Sequence, residues 1–528
     1  MMRATRKASS AAALLWASCS AGCSTPTVTT FFREVAYAPG GASLVLVAND
    51  GVYVAHPPSA TPRRATDRAC AGPARSRLSC ARMSADGRRI ALLTAEKSAR
   101  GVFDLGEVQG NGGRGIPAED LDDLKLLRVA SGVLDAAFSP DGAELVWARA
   151  GAAEGTIALE RLSPSGAAVE LVHAIPVVAG ADAPMGAAVL GTYGVAYPRP
   201  NGSAVELWYQ PFDGGPAQGL GTLPEGCAGT AFSRCLTRSS DGSSFSWQER
   251  DGGVYHVFRG QKEVDLPLGT GYGLAFSRSG AFLLRMAPTP SGASVTSVDT
   301  AAVVRRVWNA DSAELSSDGE SIAYLTVDSK AKNTARLFVG ASRHEGVDQD
   351  FGAFEAPDVH PMVPQALGVL DVVHAYTGDG RYVIVTAKGD EPGSAKLVSV
   401  EVATGEGRAL GALSCSGCCM TAPAGALVVC APALASGGSE PVAVDLYDPA
   451  TGQRAPAADA AIDVQALADG SGVAVLNMPS GRLPELRVVA RDGRVVSLGI
   501  AVGFAASPKS QELAIINELG NLSVEPAP

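Results

Sequence analysis

One frame recurs along the chain: a short apolar run, a polar reversal that ends on glycine, and a second apolar run. It is clearest in LDAAFSPDGAELVW around Gly142, and it returns as MSADGRRIALLT at Gly87, RSSDGSSFSW at Gly242, AFSRSGAFLL at Gly280, LSSDGESIAYLT at Gly319 and YTGDGRYVIVT at Gly380. Weaker copies stand at Gly41, Gly202, Gly425 and Gly470, and in ASPKSQELAII, where Ser510 takes the glycine place. The chemistry of the reversal is local. Ser and Asp side chains bond the turn backbone, Pro presets φ, and Gly accepts the positive φ that a tight reversal needs. Each copy therefore predicts two antiparallel strands joined as a hairpin. Asp86, Asp141, Asp241, Asp318 and Asp379, each one residue before the turn glycine, are read first as turn formers. The sharper alternative is a ring of carboxylates holding a cation in a channel.

Successive turn positions lie 38 to 61 residues apart, which is room for one four-stranded unit per copy. Outer strands are legible in LVSVEVATG and VAVDLYDPATG, where alternation runs into a Thr-Gly turn. Helical periodicity is rare, and the best short helix is 118–127, after the glycine-rich stretch 106–115. The expected fold is all-β: a β-propeller of about 45-residue, four-stranded blades. Eleven copies exceed the usual four to eight blades, so either two tandem rings or one large ring is expected. The irregular stretch 344–365 is the candidate insertion or boundary between repeats 31–343 and 366–528. Pairing of the stretch 31–37 with the last strand, near 522–524, would close the ring and remove a sheet edge.

These hairpins resemble the WD40-like repeats of the TolB-type β-propeller family, best in Phe138-Ser139-Pro140-Asp141-Gly142. The resemblance covers nearly all of the chain after its first thirty residues, on a short and permissive motif. It implies an envelope propeller that binds other proteins, and it specifies a scaffold rather than a reaction.

The N-terminus changes the picture of where this scaffold works. Arg3, Arg6 and Lys7 precede an apolar run and then small residues ending in Cys23, the order of an export signal over 1–22. Ala21-Gly22-Cys23 resembles the lipobox of bacterial lipoproteins, although Ser20 stands where an aliphatic residue is usual. The resemblance implies acylation of Cys23, a short lipidated linker over 23–30, and, with Ser24 rather than Asp following, the outer membrane. A lipid anchor would then be the only contact with the membrane. Loss of the signal takes three basic residues with it, so 54 acidic residues would face 40 basic ones. Such a surface repels nucleic acid and anionic lipid.

Ten cysteines then become one anchor, one discarded residue and eight thiols in an oxidising compartment. Cys70 with Cys80 and Cys227 with Cys235 are expected as local disulfides. Cys415, Cys418, Cys419 and Cys430 supply two more, in a pairing the sequence leaves open. The CxxC over 415–418 also suits a metal, but neither a second CxxC nor a nearby His completes four ligands.

Catalytic chemistry finds little support. GxSxG, HExxH and GxxxxGK[ST] are all missing from the chain. His344, Glu345, Asp348 and Asp350 form the nearest metal-like string, and the simpler reading is a polar loop. His56, His173, His256, His360 and His374 are isolated, and Trp147, Trp208, Trp247 and Trp308 sit on or beside predicted strands, where core packing outranks ligand stacking. The expectation is a non-enzymatic envelope lipoprotein that binds a protein or peptide and carries no cofactor, metal or catalytic residue. The alternatives are a lactonase- or quinoprotein-type enzyme with a metal or cofactor in its channel, and a purely structural envelope protein.

Overall fold

A computed structural model describes residues 30–528 except 58–60, 72–77, 79, 97–100, 111–112, 115, 117–120, 122, 164–165, 178–183, 203, 225–226, 228–231, 250–254, 265–272, 278–279, 281, 290–291, 300–303, 311, 328–333, 343–347, 356–373, 391–394, 414–418 and 432–440. The expected signal, Cys23, Cys415, Cys418, His344, Glu345 and His360 lie outside the described residues. The described chain is all-β apart from a 3₁₀ turn at Pro184–Ala187 and a single helical turn at Phe232–Cys235.

The strands form eleven antiparallel units, each an up-and-down meander counted outward from a first, innermost strand. Blades 1 to 11 begin at residues 32, 81, 133, 189, 236, 273, 312, 374, 419, 461 and 501. Blades 1 to 10 have four strands. In blade 11, three are described: the end of Val495–Ala506, then Glu512–Asn517 and Leu522–Pro526. Because neighbouring strands are antiparallel, every first-to-second turn lies on one face, here called the turn face. The second-to-third loops and the passages between blades lie on the other, the passage face.

Eleven blades close as one ring. Among the described residues, ten of the eleven junctions own a hydrophobic cluster drawn from both blades. The junction of blades 5 and 6 is made where Gly280 meets Ser239 and Asp241. At the return point, Phe32, Val35 and Tyr37 of blade 1 pack with Ala505, Ala514 and Ile516 of blade 11. The expected pairing of the stretch 31–37 with the last strand is corrected by this contact. Phe32–Tyr37 pairs with Leu44–Ala48 of its own blade, and closure is made by its side chains against the first two strands of blade 11 and by the Phe32 N–H donating to the Gly520 carbonyl at 3.1 Å.

Three long strands each serve two blades. Lys125–Phe138, Arg454–Ala466 and Val495–Ala506 pair first as the outer strand of one blade and then as the inner strand of the next. The helix expected over 118–127 is corrected by the first of these. Leu126 packs over Gly106, where any Cβ would lie 2.6 Å from its Cγ, so the segment from Lys125 onward is held extended. Gly106 itself sits in the strand Phe103–Gly110, not in a loop. The irregular stretch 344–365 includes the strand Gln349–Glu355, the outer strand of blade 7. It is no boundary either, since blades 7 and 8 share a core of Leu325, Val339, Tyr376 and Val385. Gly202 turns between the second and third strands of blade 4, whose first turn is the short one from Leu190 to Gly194. The uneven spacing around Gly202 comes from that one misplaced turn.

Outer strands share a second device. Register shifts interrupt the third-to-fourth strand pairing in nine of the ten four-stranded blades, all but blade 5. Bulges there twist the exposed edge away from the flat geometry that invites edge-to-edge association.

Candidate binding surface

The turn face is built from the repeated motif itself. In five blades a Ser or Thr hydroxyl donates to the Asp two residues on: Ser84 to Asp86, Ser139 to Asp141, Ser239 to Asp241, Ser316 to Asp318 and Thr377 to Asp379. Each Asp Oδ1 also accepts a backbone N–H two residues further, at 2.9–3.2 Å. Each hydroxyl oxygen accepts the N–H five residues on, at 2.9–3.1 Å. The Ser316 hydroxyl and the Glu320 N–H hold the Asp318 carboxyl below the usual carboxylate range. At Asp86 and Asp241 burial pushes the carboxyl up, but the Ser hydroxyl and backbone donors outweigh it. These carboxylates are committed to their own turns.

The turn glycines have two tasks. Gly87, Gly142, Gly242, Gly319 and Gly380 adopt φ between 70° and 80°. The first two also touch the neighbouring turn: a Cβ on Gly87 would stand 2.8 Å from Cβ of Ala38, and one on Gly142 2.8 Å from Cβ of Ser84. Turn packs on turn around the face.

Inside this rim, where the inner strands of blades 10, 11, 1, 2 and 3 converge, lies a cavity of about 420 Å³. Its walls include Tyr37, Met83, Phe138, Ala505 and Pro508, and its polar members are Arg82 and Gln465. Both are bound to the framework. Arg82 donates to the carbonyls of Ala81 and Ala136 and pairs with the fully buried Asp135 at 3.0 Å. Gln465 donates to the Phe504 carbonyl at 3.2 Å and accepts from the Ala506 N–H at 2.9 Å, bolting blade 10 to blade 11. Burial pushes the Tyr37 phenol up, with Glu512 adding to the effect, so it stays neutral at physiological pH. The volume suits a small ligand or a side chain, and the walls offer apolar contact.

Other sequence candidates are scattered rather than gathered. His56 is buried and bonded through Nδ1 to the Ala42 carbonyl, and His173 is exposed beside Glu170. His256 stacks on Trp247 between Glu249 and Glu263, which meet opposite ring nitrogens and so cannot share an ion with it. Asp348 accepts from the Tyr324 hydroxyl at 2.6 Å and Asp350 pairs with Arg336, so both hold the outer strand of blade 7 in place. Among the described residues no three His, Cys, Asp or Glu side chains converge as metal ligands. Trp147 and Trp247 are core residues, the former donating to Glu160 at 2.8 Å. Sequence reasoning missed the cavity, whose walls come from inner strands distant in the chain.

Among the described residues three disulfides are present: Cys70–Cys80, Cys227–Cys235 and Cys419–Cys430. The first two span the passages into blades 2 and 5 on the passage face. The third joins directly paired residues of the first two strands of blade 9. Such covalent links fit an oxidising compartment.

No family model matches the chain, and no curated protein matches it. Among solved structures, a eukaryotic initiation factor is similar at 11% identity and TM-score 0.37, over 90% of this chain and 89% of that one. The propeller domain of the Trilobed protease from Pyrococcus furiosus is similar at 9% identity and TM-score 0.28, over 61% of this chain and 97% of that one. TolB from Acinetobacter baumannii is similar at 14% identity and TM-score 0.24, over 55% and 77%.

Proposed function

We propose that the protein is an exported, lipid-anchored and non-enzymatic binder of a protein or peptide in the bacterial envelope, sorted to the outer membrane. The observation that carries the binding part is the cavity on the turn face. Its walls are apolar, its two polar side chains are spent on the framework, and the carboxylates around the rim are spent on their turns. A site so furnished has contact area to offer and no general acid, base or nucleophile poised to act. The export signal, the Cys23 motif and the disulfides support the location.

The test has two arms. Mass spectrometry of protein from the membrane fraction should find an acylated N-terminal Cys23; an intact, unmodified N-terminus would overturn the anchoring. Envelope partners captured by the protein should be lost with Met83→Asp or Phe138→Asp, while Leu519→Asp, on the passage face, retains them. Partners retained by both cavity variants, or turnover of a small substrate by the purified protein, would overturn the binding reading.

A further inference from the structure

A second cavity, of about 450 Å³, lies on the outer flank of the ring between blades 1 and 2, and it shares no residue with the one on the turn face. Its apolar wall is Ala65 of blade 1 with Leu124 and Leu126 of blade 2, at the edge of the cluster that joins the two blades. Its charged members are Asp67, Arg68, Asp104, Lys125 and Arg128, so three cations face two acids. That local excess of one positive charge stands in a chain with 54 acidic and 43 basic residues.

Asp104 takes one guanidinium on each oxygen: Arg68 donates to Oδ2 at 3.0 Å and Arg128 to Oδ1 at 2.7 Å. Only 14% of the Asp104 side chain is exposed, against 49% for Arg68 and 58% for Arg128. One arginine would neutralise this carboxylate, and the second leaves the group cationic. Among the described residues each guanidinium makes no other hydrogen bond, so most of its five N–H donors are unspent at the cavity. The disulfide Cys70–Cys80 places Arg68. Cys70 forms a bridge with Thr94, and Thr94 pairs with Asp104 on its other side, so the passage and two strands of blade 2 set these three residues in one row. The Ala71 N–H donates to the Leu93 carbonyl at 3.1 Å, and the Arg68 N–H donates to Thr66 Oγ1 at 3.1 Å, which fixes the bend that carries Arg68 toward Asp104.

We propose that this cleft binds a small organic monoanion with an apolar body, its carboxylate spanning the unspent donors of Arg68 and Arg128 and its hydrocarbon part lying on Ala65, Leu124 and Leu126. Guanidinium forks recognise planar carboxylates through paired N–H···O bonds, and Asp104 shows that these two can share one such group. The single excess charge balances a monoanion and leaves a phosphate dianion uncompensated. The volume lies within the range of small-ligand sites, and the apolar wall gives such a ligand an advantage over a bare inorganic ion. The disulfide then does more than staple the passage into blade 2, because it sets the spacing of two arginines from different blades. Nothing in this site depends on the turn-face cavity or on what binds there.

Titration calorimetry of the full-length protein with decanoate tests this directly. One molecule should bind per chain, and decanol and inorganic phosphate should each bind about tenfold more weakly or worse. Arg68→Gln and Arg128→Gln should each weaken decanoate about tenfold and leave decanol unchanged, whereas Arg128→Lys, which keeps the charge without the fork, should fall between. Both arginines are half exposed, so the variants should keep the thermal midpoint of the wild type within a few degrees, which separates lost binding from lost folding. Reductant supplies an independent reading: it should weaken decanoate binding to the wild type and have no effect on Arg68→Gln, since the disulfide acts through that side chain. Absence of decanoate binding, equal affinity for decanol or phosphate, or an affinity unmoved in either glutamine variant would each overturn the proposal.

Discussion

Two kinds of crossing from one blade to the next can be compared. Between blades 2 and 3, 9 and 10, and 10 and 11, a single strand swings from the outer edge of one blade to the inner edge of the next. Between blades 1 and 2, and 4 and 5, the chain leaves the sheet, and a disulfide ties the passage to the residue before the next inner strand. Both arrangements address the same cost, the conformational entropy of a chain that must be brought back to the ring centre at every junction. A continuous strand meets it with ladder hydrogen bonds and a bend, as at Gly499, which adopts φ 92° at a register shift. A stapled passage limits the freedom of the unfolded chain instead.

That contrast can be broken from either side. The largest effect is expected at the staples: replacing Cys70 and Cys80 together by Ser should lower unfolding free energy by about 2–3 kcal/mol. Denaturant midpoints under oxidising conditions would show it, and the loss should vanish when wild type and variant are compared in reductant. At the continuous junction of blades 10 and 11, Gln465→Ala should cost about 2 kcal/mol, two hydrogen bonds at about 1 kcal/mol each. This loss should be the same with or without reductant. Gly499→Ala should cost about 1 kcal/mol from backbone strain alone, because nothing lies within 4 Å of the added methyl. The smallest effect belongs to the turns rather than to either kind of junction. Asp86, Asp241 and Asp318 have carboxyls below their ordinary range. Their contribution is present above the unfolded carboxylate pKa and is lost as pH falls below about 4 and through the folded values. Thermal scans should show it, and Asp318→Asn should reduce the slope.

How much of this could be read from the residues alone follows from how far each interaction reaches along the chain. The turns were legible because Ser139, Asp141 and Gly142 bond within a window of six residues. Blade 4 hides its frame because its true first turn, at Thr192, lacks both Ser and Asp, while Pro-Asn-Gly at Gly202 imitates the motif one loop later. The stretch 118–127 looked helical because Leu121, Leu124 and Leu127 keep a three-residue spacing; the hole over Gly106 that claims Leu126 is a tertiary fact. Shared strands leave no mark, since their evidence is a missing turn. Cavity and closure lay furthest out of reach, because Phe138 and Pro508 line one cavity, and Phe32 and Ile516 share one apolar cluster, only once the ring exists.

The closing cluster sets a schedule for folding. Blade 1 is made first, yet the apolar flank formed by Phe32, Val35 and Tyr37 finds its cover only when residues near Ile516 have been made. A chain that emerges from its N-terminus must carry that flank uncovered through ten further blades, although each of them can pack on its predecessor as it appears. Contacts between residues so distant in sequence form late and leave sticky surface in the meantime. The moment of greatest exposure to aggregation is therefore the interval before the last blade arrives, and an escort for this protein would be most useful at its first blade.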